Sequence, residues 1–197
     1  MVWRLLVGVV LVVSYVAAAS TDAAAQFRPS NYGNDPMGGG GFFGFGGGSG
    51  SPIARATVSF PASYKPGTIV IRSGERRLYL VLGNGQALSY GIGVGRDGFG
   101  WSGVKRISAK REWPSWTPPA QMLKRRPDLP RHMAGGPDNP LGARALYLGS
   151  SLYRIHGSNE PETIGQAVSS GCFRLTNDDV IDLYARVQVG ATVIVQQ

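Results

Sequence analysis

Short runs of Ile, Val, Leu and Tyr, each broken off by a glycine-containing turn, dominate the chain from residue 68 onward. The runs over 68–72, 77–82, 86–94 and 104–110 are too brief for stable helices and rich in β-branched and aromatic residues, which predicts strands. Further strands are predicted over 145–148, 153–156 and 191–195, and Gly83-Asn84-Gly85 predicts a tight hairpin between two of the runs. The period changes once. Thr176 stands three residues before Asp179, and Val180, Leu183, Tyr184 and Val187 then recur on one helical face until Gly190. This is a helix with its own N-terminal capping signature and a glycine stop. Between residues 113 and 140 proline interrupts every pattern, so the segment reads as an irregular insertion over one side of the domain, with a short helical piece at 119–125. Trp113 and Trp116 within it read as core or lid packing in preference to a sugar platform. The pattern predicts a mainly β domain with one clear helix.

The first residues have a different character. Arg4, an apolar run over 5–19 and Ala23-Ala24-Ala25 before Gln26 match an export signal, so residues 1–25 are expected to be removed on passage to the periplasm or cell envelope. An uncleaved anchor is the alternative, but the run is shorter than the roughly 20 residues a spanning helix needs. Residues 26–55 are rich in glycine, above all over 37–50, where three Phe side chains cannot offset the backbone entropy, and read as a disordered tether before a folded domain at 56–197. The formal charge of +8 favours an anionic partner. Export argues against nucleic acid, leaving either an anionic wall or membrane surface or a plain solvated basic face.

One cysteine, Cys172, is present, so no intramolecular disulfide forms. An unpaired thiol in an oxidising compartment is either buried and inert or used. Of the two histidines, His156 ends a predicted strand and is followed by Gly157, whereas His132 lies in a Pro/Gly-rich stretch that does little to orient a ring. His156 is therefore the better base for generating a thiolate. Ser169-Ser170-Gly171-Cys172 predicts a tight turn whose amides near Cys172 can face a developing oxyanion. The Gly157 carbonyl is the first choice to orient His156, ahead of Glu160 and Glu162. Arg174 either binds a substrate carboxylate or pairs with Asp178. Gly93-Val94-Gly95-Arg96-Asp97-Gly98 satisfies a dinucleotide fingerprint formally, but a strand-like run follows it instead of a helix, so it reads as a flexible strand connection. No grouping of His, Cys and carboxylates has metal-ligand spacing, and neither a metal nor an organic cofactor is expected.

His156-Gly157, a gap, and then Ser169-x-Gly171-Cys172-x-Arg174 with an Asn-Asp-Asp helix just downstream resemble the signature of the L,D-transpeptidase (YkuD) catalytic domain, in its alphaproteobacterial periplasmic form. The resemblance covers about 68–197. It implies a mixed, sandwich-like β fold and a cysteine enzyme acting on peptidoglycan stem peptides. Cys172 is then the nucleophile that attacks the bond between diaminopimelate and terminal D-alanine. His156 is the base, Gly157 its carbonyl orienter, and Gly171 with Cys172 the oxyanion donors. Ser169, Ser170 and Arg174 would contact substrate, and a carbapenem would inhibit covalently. The acyl group passes to an amine, making a cross-link or attaching an envelope protein. Hydrolysis of the same thioester and a non-catalytic wall-binding module are the alternatives. Many family members carry His where this chain has Ser170, and the family's Thr-Pro turn is missing around 96–103.

Overall fold

The computed structural model describes residues 51–197. The predicted export signal and nearly all of the predicted tether lie outside the described residues. Among the described residues no helix is long and apolar enough to cross a membrane. The last predicted tether residues already belong to the fold: Ile53 lies against Gly91, and Arg55 pairs with Asp182 at 3.0 Å.

In chain order the strands are β1 (Ala56–Ser59), β2 (Ile69–Arg72), β3 (Arg77–Gly83), β4 (Gln86–Gly91), β5 (Val94–Gly95) and β6 (Gly103–Glu112). After helix α1 (Ala120–Arg125) come β7 (Arg144–Leu148), β8 (Arg154–His156), β9 (Ala167–Ser169), β10 (Phe173–Arg174), helix α2 (Asn177–Arg186) and β11 (Thr192–Gln196). Nine strands follow one another in the order β1-β4-β3-β2-β11-β6-β7-β8-β10, while β5 and β9 pair separately. The long strand β6 serves both halves, because its first residues pair with β11 and those from Ile107 onward with β7, across a register shift between Ile107 and Ala109. Ile69, Ile71 and Leu80 from one half meet Leu146, Leu148 and Ile155 from the other in a single core, giving the sandwich-like arrangement.

The local reasons are visible in the sequence. Asn84 and Gly85, both at positive φ, form the two-residue β3–β4 turn, a conformation Asn and Gly tolerate. Central strand β2 lies between β3 and β11 and is apolar at three consecutive positions because both faces are covered. Ile69 and Ile71 enter the main core, and Val70 joins Phe60, Val81 and Ala87 on the opposite side. The predicted run over 86–94 splits: β4 stops at Gly91, and β5 leaves to pair in parallel with β9. Short strands β1, β9 and β10 carry too few residues to show a period.

Helix α2 matches its prediction. Thr176 Oγ1 accepts the Asp179 amide at 3.3 Å, and Val180, Leu183 and Val187 are buried in the main core. Replacing Leu183, 0% exposed, by Ala should lower stability by about 2–5 kcal/mol in urea unfolding. Val189→Ala, at a residue 59% exposed, should stay within about 0.5 kcal/mol.

Candidate active site

Strand β8 delivers His156 at its end, and β10 begins immediately after Cys172. The two strands run parallel with Ile155 opposite Phe173 and His156 opposite Arg174, locked by the Leu175 amide donating to the His156 carbonyl at 2.8 Å. This register brings the two halves of the sequence motif to one place.

His156 is buried, 4% exposed, and its Nδ1 lies 2.6 Å from the Gly157 carbonyl. A carbonyl can only accept, so Nδ1 carries the hydrogen and Nε2 of the neutral ring keeps its lone pair. Burial, reinforced by the charge of Arg174, depresses the His156 pKa to about 3 although the Gly157 hydrogen bond opposes the shift. The ring is neutral at physiological pH. Gly157 has no room for a side chain, because a Cβ there would run into Asn177 Oδ1 and come within 3.1 Å of the Ala143 amide nitrogen. Asn177 Oδ1 itself accepts the Ala143 amide at 2.9 Å, so the first residue of α2 braces the start of β7, whose Arg144 carbonyl accepts the Gly157 amide at 3.0 Å.

The turn before β10 is held from within. Ser169 Oγ donates to the Cys172 carbonyl at 2.6 Å and accepts the Gly171 amide at 3.1 Å. The Ser169 hydroxyl is thus committed to turn geometry, and the Gly171 amide is already bonded; the Cys172 amide has no partner among the described residues. Gly171 sits at φ +106°, and a Cβ on it would approach Tyr153 Cε1 to 2.6 Å. Beneath it Trp101 stacks on Tyr153 with ring centroids 4.7 Å apart and donates from Nε1 to the Gly171 carbonyl at 2.8 Å. The formal dinucleotide fingerprint has a packing role here: Gly93 exchanges two 2.9 Å hydrogen bonds with Arg174, and a Cβ would bring it within 3.0 Å of the Thr163 carbonyl. Its glycines permit close approach behind the site.

Cys172 is half-buried, and its thiol donates to the Leu152 carbonyl at 3.7 Å. Burial raises its pKa, while the amide and guanidinium of Arg154 and the charge of Arg174 pull it down. Cys172, His156, Ser170 and Arg174 line one cavity of about 340 Å³. Trp116, Met122 and Arg125 of the 113–140 insertion form its other wall, so the insertion does lie over the site. Arg174 pairs with Glu160 at 2.9 Å and not with Asp178, which also removes Glu160 as an orienter of His156. His132 is exposed beside Thr117 Oγ1 at 3.2 Å and does not line the cavity. Sequence reasoning missed Arg154, Trp101 and Tyr153. Arg154 follows Tyr153 inside a predicted strand, and nothing in a strand's alternation marks a charged residue as part of a site.

The L,D-transpeptidase catalytic domain model matches residues 66–195, and the chain belongs to that family. It is 40% identical over 134 residues to the probable L,D-transpeptidase ErfK/SrfK of Escherichia coli K12, covering 64% of this chain and 42% of that protein. The chain therefore spans about two fifths of the length of that relative. A crystal structure from Brucella melitensis, described as a probable carnitine operon oxidoreductase, is 47% identical with a TM-score of 0.50, covering 74% of this chain and 94% of that one. Its description names a different activity from the one the matched family carries. L,D-transpeptidase 3 of Mycobacterium tuberculosis, solved with a faropenem-derived adduct, shares the fold at 16% identity and a TM-score of 0.52, covering 66% of this chain and 60% of that one.

The buried neutral histidine has a consequence for stability. In the unfolded chain the ring protonates near its ordinary 6.5, whereas in the folded protein it stays neutral down to about 3. Between these values the unfolded state binds the extra proton, so the buried ring destabilises the fold increasingly as pH is lowered, a penalty that is absent above the unfolded pKa. Thermal unfolding from about pH 7 to about pH 4 should show a steeper loss in the wild type than in His156→Asn. Parallel curves would mean that the folded ring titrates normally.

Proposed function

We propose that the protein is a peptidoglycan L,D-transpeptidase with Cys172 as nucleophile and His156 as base. The observation that carries this reading is the Nδ1–H hydrogen bond to Gly157, which leaves the Nε2 lone pair free on a ring that lines the same cavity as Cys172. The thiol turns from the Leu152 carbonyl to the imidazole and gives its proton to Nε2. The thiolate attacks the carbonyl between diaminopimelate and the terminal D-alanine of a stem tetrapeptide. The C–S bond forms, the C–N bond breaks, and the imidazolium returns the proton to the departing D-alanine amine. An incoming amine then attacks the thioester, loses a proton to His156 and releases the thiolate.

The Cys172 amide, without a partner among the described residues, suits the oxyanion of both tetrahedral intermediates, with Gly171 holding that amide in place through its positive-φ turn. Ser170 and Arg174, on the cavity wall, would contact the peptide. The amine is that of a second stem peptide or of an envelope protein, and residues 1–25 direct the chain to the periplasm. The faropenem adduct on the mycobacterial relative supports covalent capture of β-lactams by the same sulfur.

The protein incubated with purified disaccharide tetrapeptide should release D-alanine and form cross-linked dimers visible by mass spectrometry, and Cys172→Ala should form none. Tripeptide alone would replace transfer with hydrolysis, and no turnover by folded protein would sink the enzyme reading. His156→Ala should slow turnover by about 10²–10⁴-fold, with His132→Ala near the wild type. A carbapenem should add its mass to the wild type and not to Cys172→Ala; equal labelling would place the nucleophile elsewhere.

A further inference from the structure

The Leu152 carbonyl accepts two hydrogen bonds, one from the Cys172 thiol at 3.7 Å and one from Arg154 Nη1 at 3.1 Å. Sulfur and guanidinium therefore meet at a single oxygen. The register of β8 on β10 accounts for it, since Ile155 opposite Phe173 sets Arg154 beside Cys172. Arg154 is held there by stacking on Tyr147, its Cζ 5.0 Å from the ring centroid. Its Nε is buried without a hydrogen-bond partner among the described residues. Buried donors are nearly always satisfied, and a standing exception calls for an acceptor that is present in another state of the site.

From this geometry we infer that Arg154 is the partner of the Cys172 thiolate: the Leu152 carbonyl holds the sulfur while it carries its proton, and the guanidinium anchored on that oxygen takes over when the proton leaves. A thiolate has no hydrogen to give the carbonyl and is repelled by it. The unpartnered Nε–H of Arg154 is the donor that replaces the lost contact, as a charge-assisted hydrogen bond to an anion. The proton goes to His156, so the neutral thiol and imidazole become a thiolate and an imidazolium, and no other reactant is needed.

The remaining charged groups around the sulfur do not fill this role. The Nε of Arg174 on β10 is likewise buried without a partner among the described residues, but its guanidinium is tied through Nη1 to Glu160 and shares no acceptor with the thiol, and Arg125 on α1 lines the insertion wall of the cavity. His156 gains positive charge only by receiving the proton. Arg154 combines a permanent charge, contact with the thiol's own acceptor and an unused donor.

The inference rests on Cys172 being the nucleophile, but its test needs no wall substrate. The pH dependence of Cys172 alkylation by iodoacetamide should shift in the full chain when Arg154 is changed. In Arg154→Gln the apparent thiol pKa should rise by about one unit, with alkylation near neutral pH slowed about tenfold. Arg154→Lys should lie between, because an ammonium keeps the charge but not the fork that serves carbonyl and sulfur together. Unfolding curves report whether each variant is folded. An unshifted profile in folded Arg154→Gln overturns the inference. So does an unshifted profile together with weakened peptide binding, which would make Arg154 a substrate contact. If Arg154→Gln does not fold, an unshifted Arg154→Lys profile overturns it. The expected shift in a protein that turns over no stem peptide would uphold the Arg154–thiolate pair while sinking the transpeptidase reading.

Discussion

Two residues of β10 run parallel to β8 in a register that sets Phe173 against Ile155 and Arg174 against His156, and the site exists only while that pairing holds. Each partner is buttressed on its outer side. Asn177, at the start of α2, accepts the Ala143 amide at the entrance to β7, the strand paired with β8, and Trp101 with Tyr153 supports the carbonyl of Gly171. Around the site a Cβ would run into Asn177 Oδ1 at Gly157, approach Tyr153 Cε1 to 2.6 Å at Gly171 and come within 3.0 Å of the Thr163 carbonyl at Gly93. A rigid β scaffold thus carries Cys172 and His156 on short, tightly braced termini, the arrangement that keeps two side chains in register without long loops.

Burial acts on the pair in a consistent direction. It raises the Cys172 pKa and lowers that of His156, so both shifts favour a neutral thiol beside a neutral imidazole at rest. The ion pair that the proposed attack requires is disfavoured until something stabilises the anion. Positive charge from Arg154 and Arg174 helps the sulfur but works against the imidazolium. The pairing of Arg174 with Glu160 reduces that opposition on the histidine side. A resting thiol that is mostly protonated also reacts slowly with oxidants, which would suit an unpaired cysteine in the proposed exported protein.

Much of this was legible in one dimension. The β-rich pattern, the Asn84-Gly85 turn and helix α2 follow from local rules of propensity, turn chemistry and capping, and local rules are written in neighbouring residues. Cys172, His156 and Gly157 were legible because their chemistry is rare in the chain: one thiol, two imidazoles, and a glycine whose carbonyl alone follows the ring. Ser169 and Gly171 were legible as a turn but not in their roles, since the sequence does not show that the Gly171 amide is taken by the Ser169 hydroxyl. The fingerprint at 93–98 was recognised as unsuited to a nucleotide, yet its close approach to β10 depends on a contact with residues far along the chain.

What the sequence by itself determined, then, is the class of fold, the position of its helix, and the candidates for nucleophile and base, because each depends on residue type and short-range spacing. Only the tertiary structure decided which side chains surround them. Strand pairing placed Arg154 beside the thiol, Glu160 against Arg174 and the 113–140 insertion across the cavity. These are long-range contacts whose register no local pattern encodes, and they govern the charge around the sulfur on which its reactivity depends.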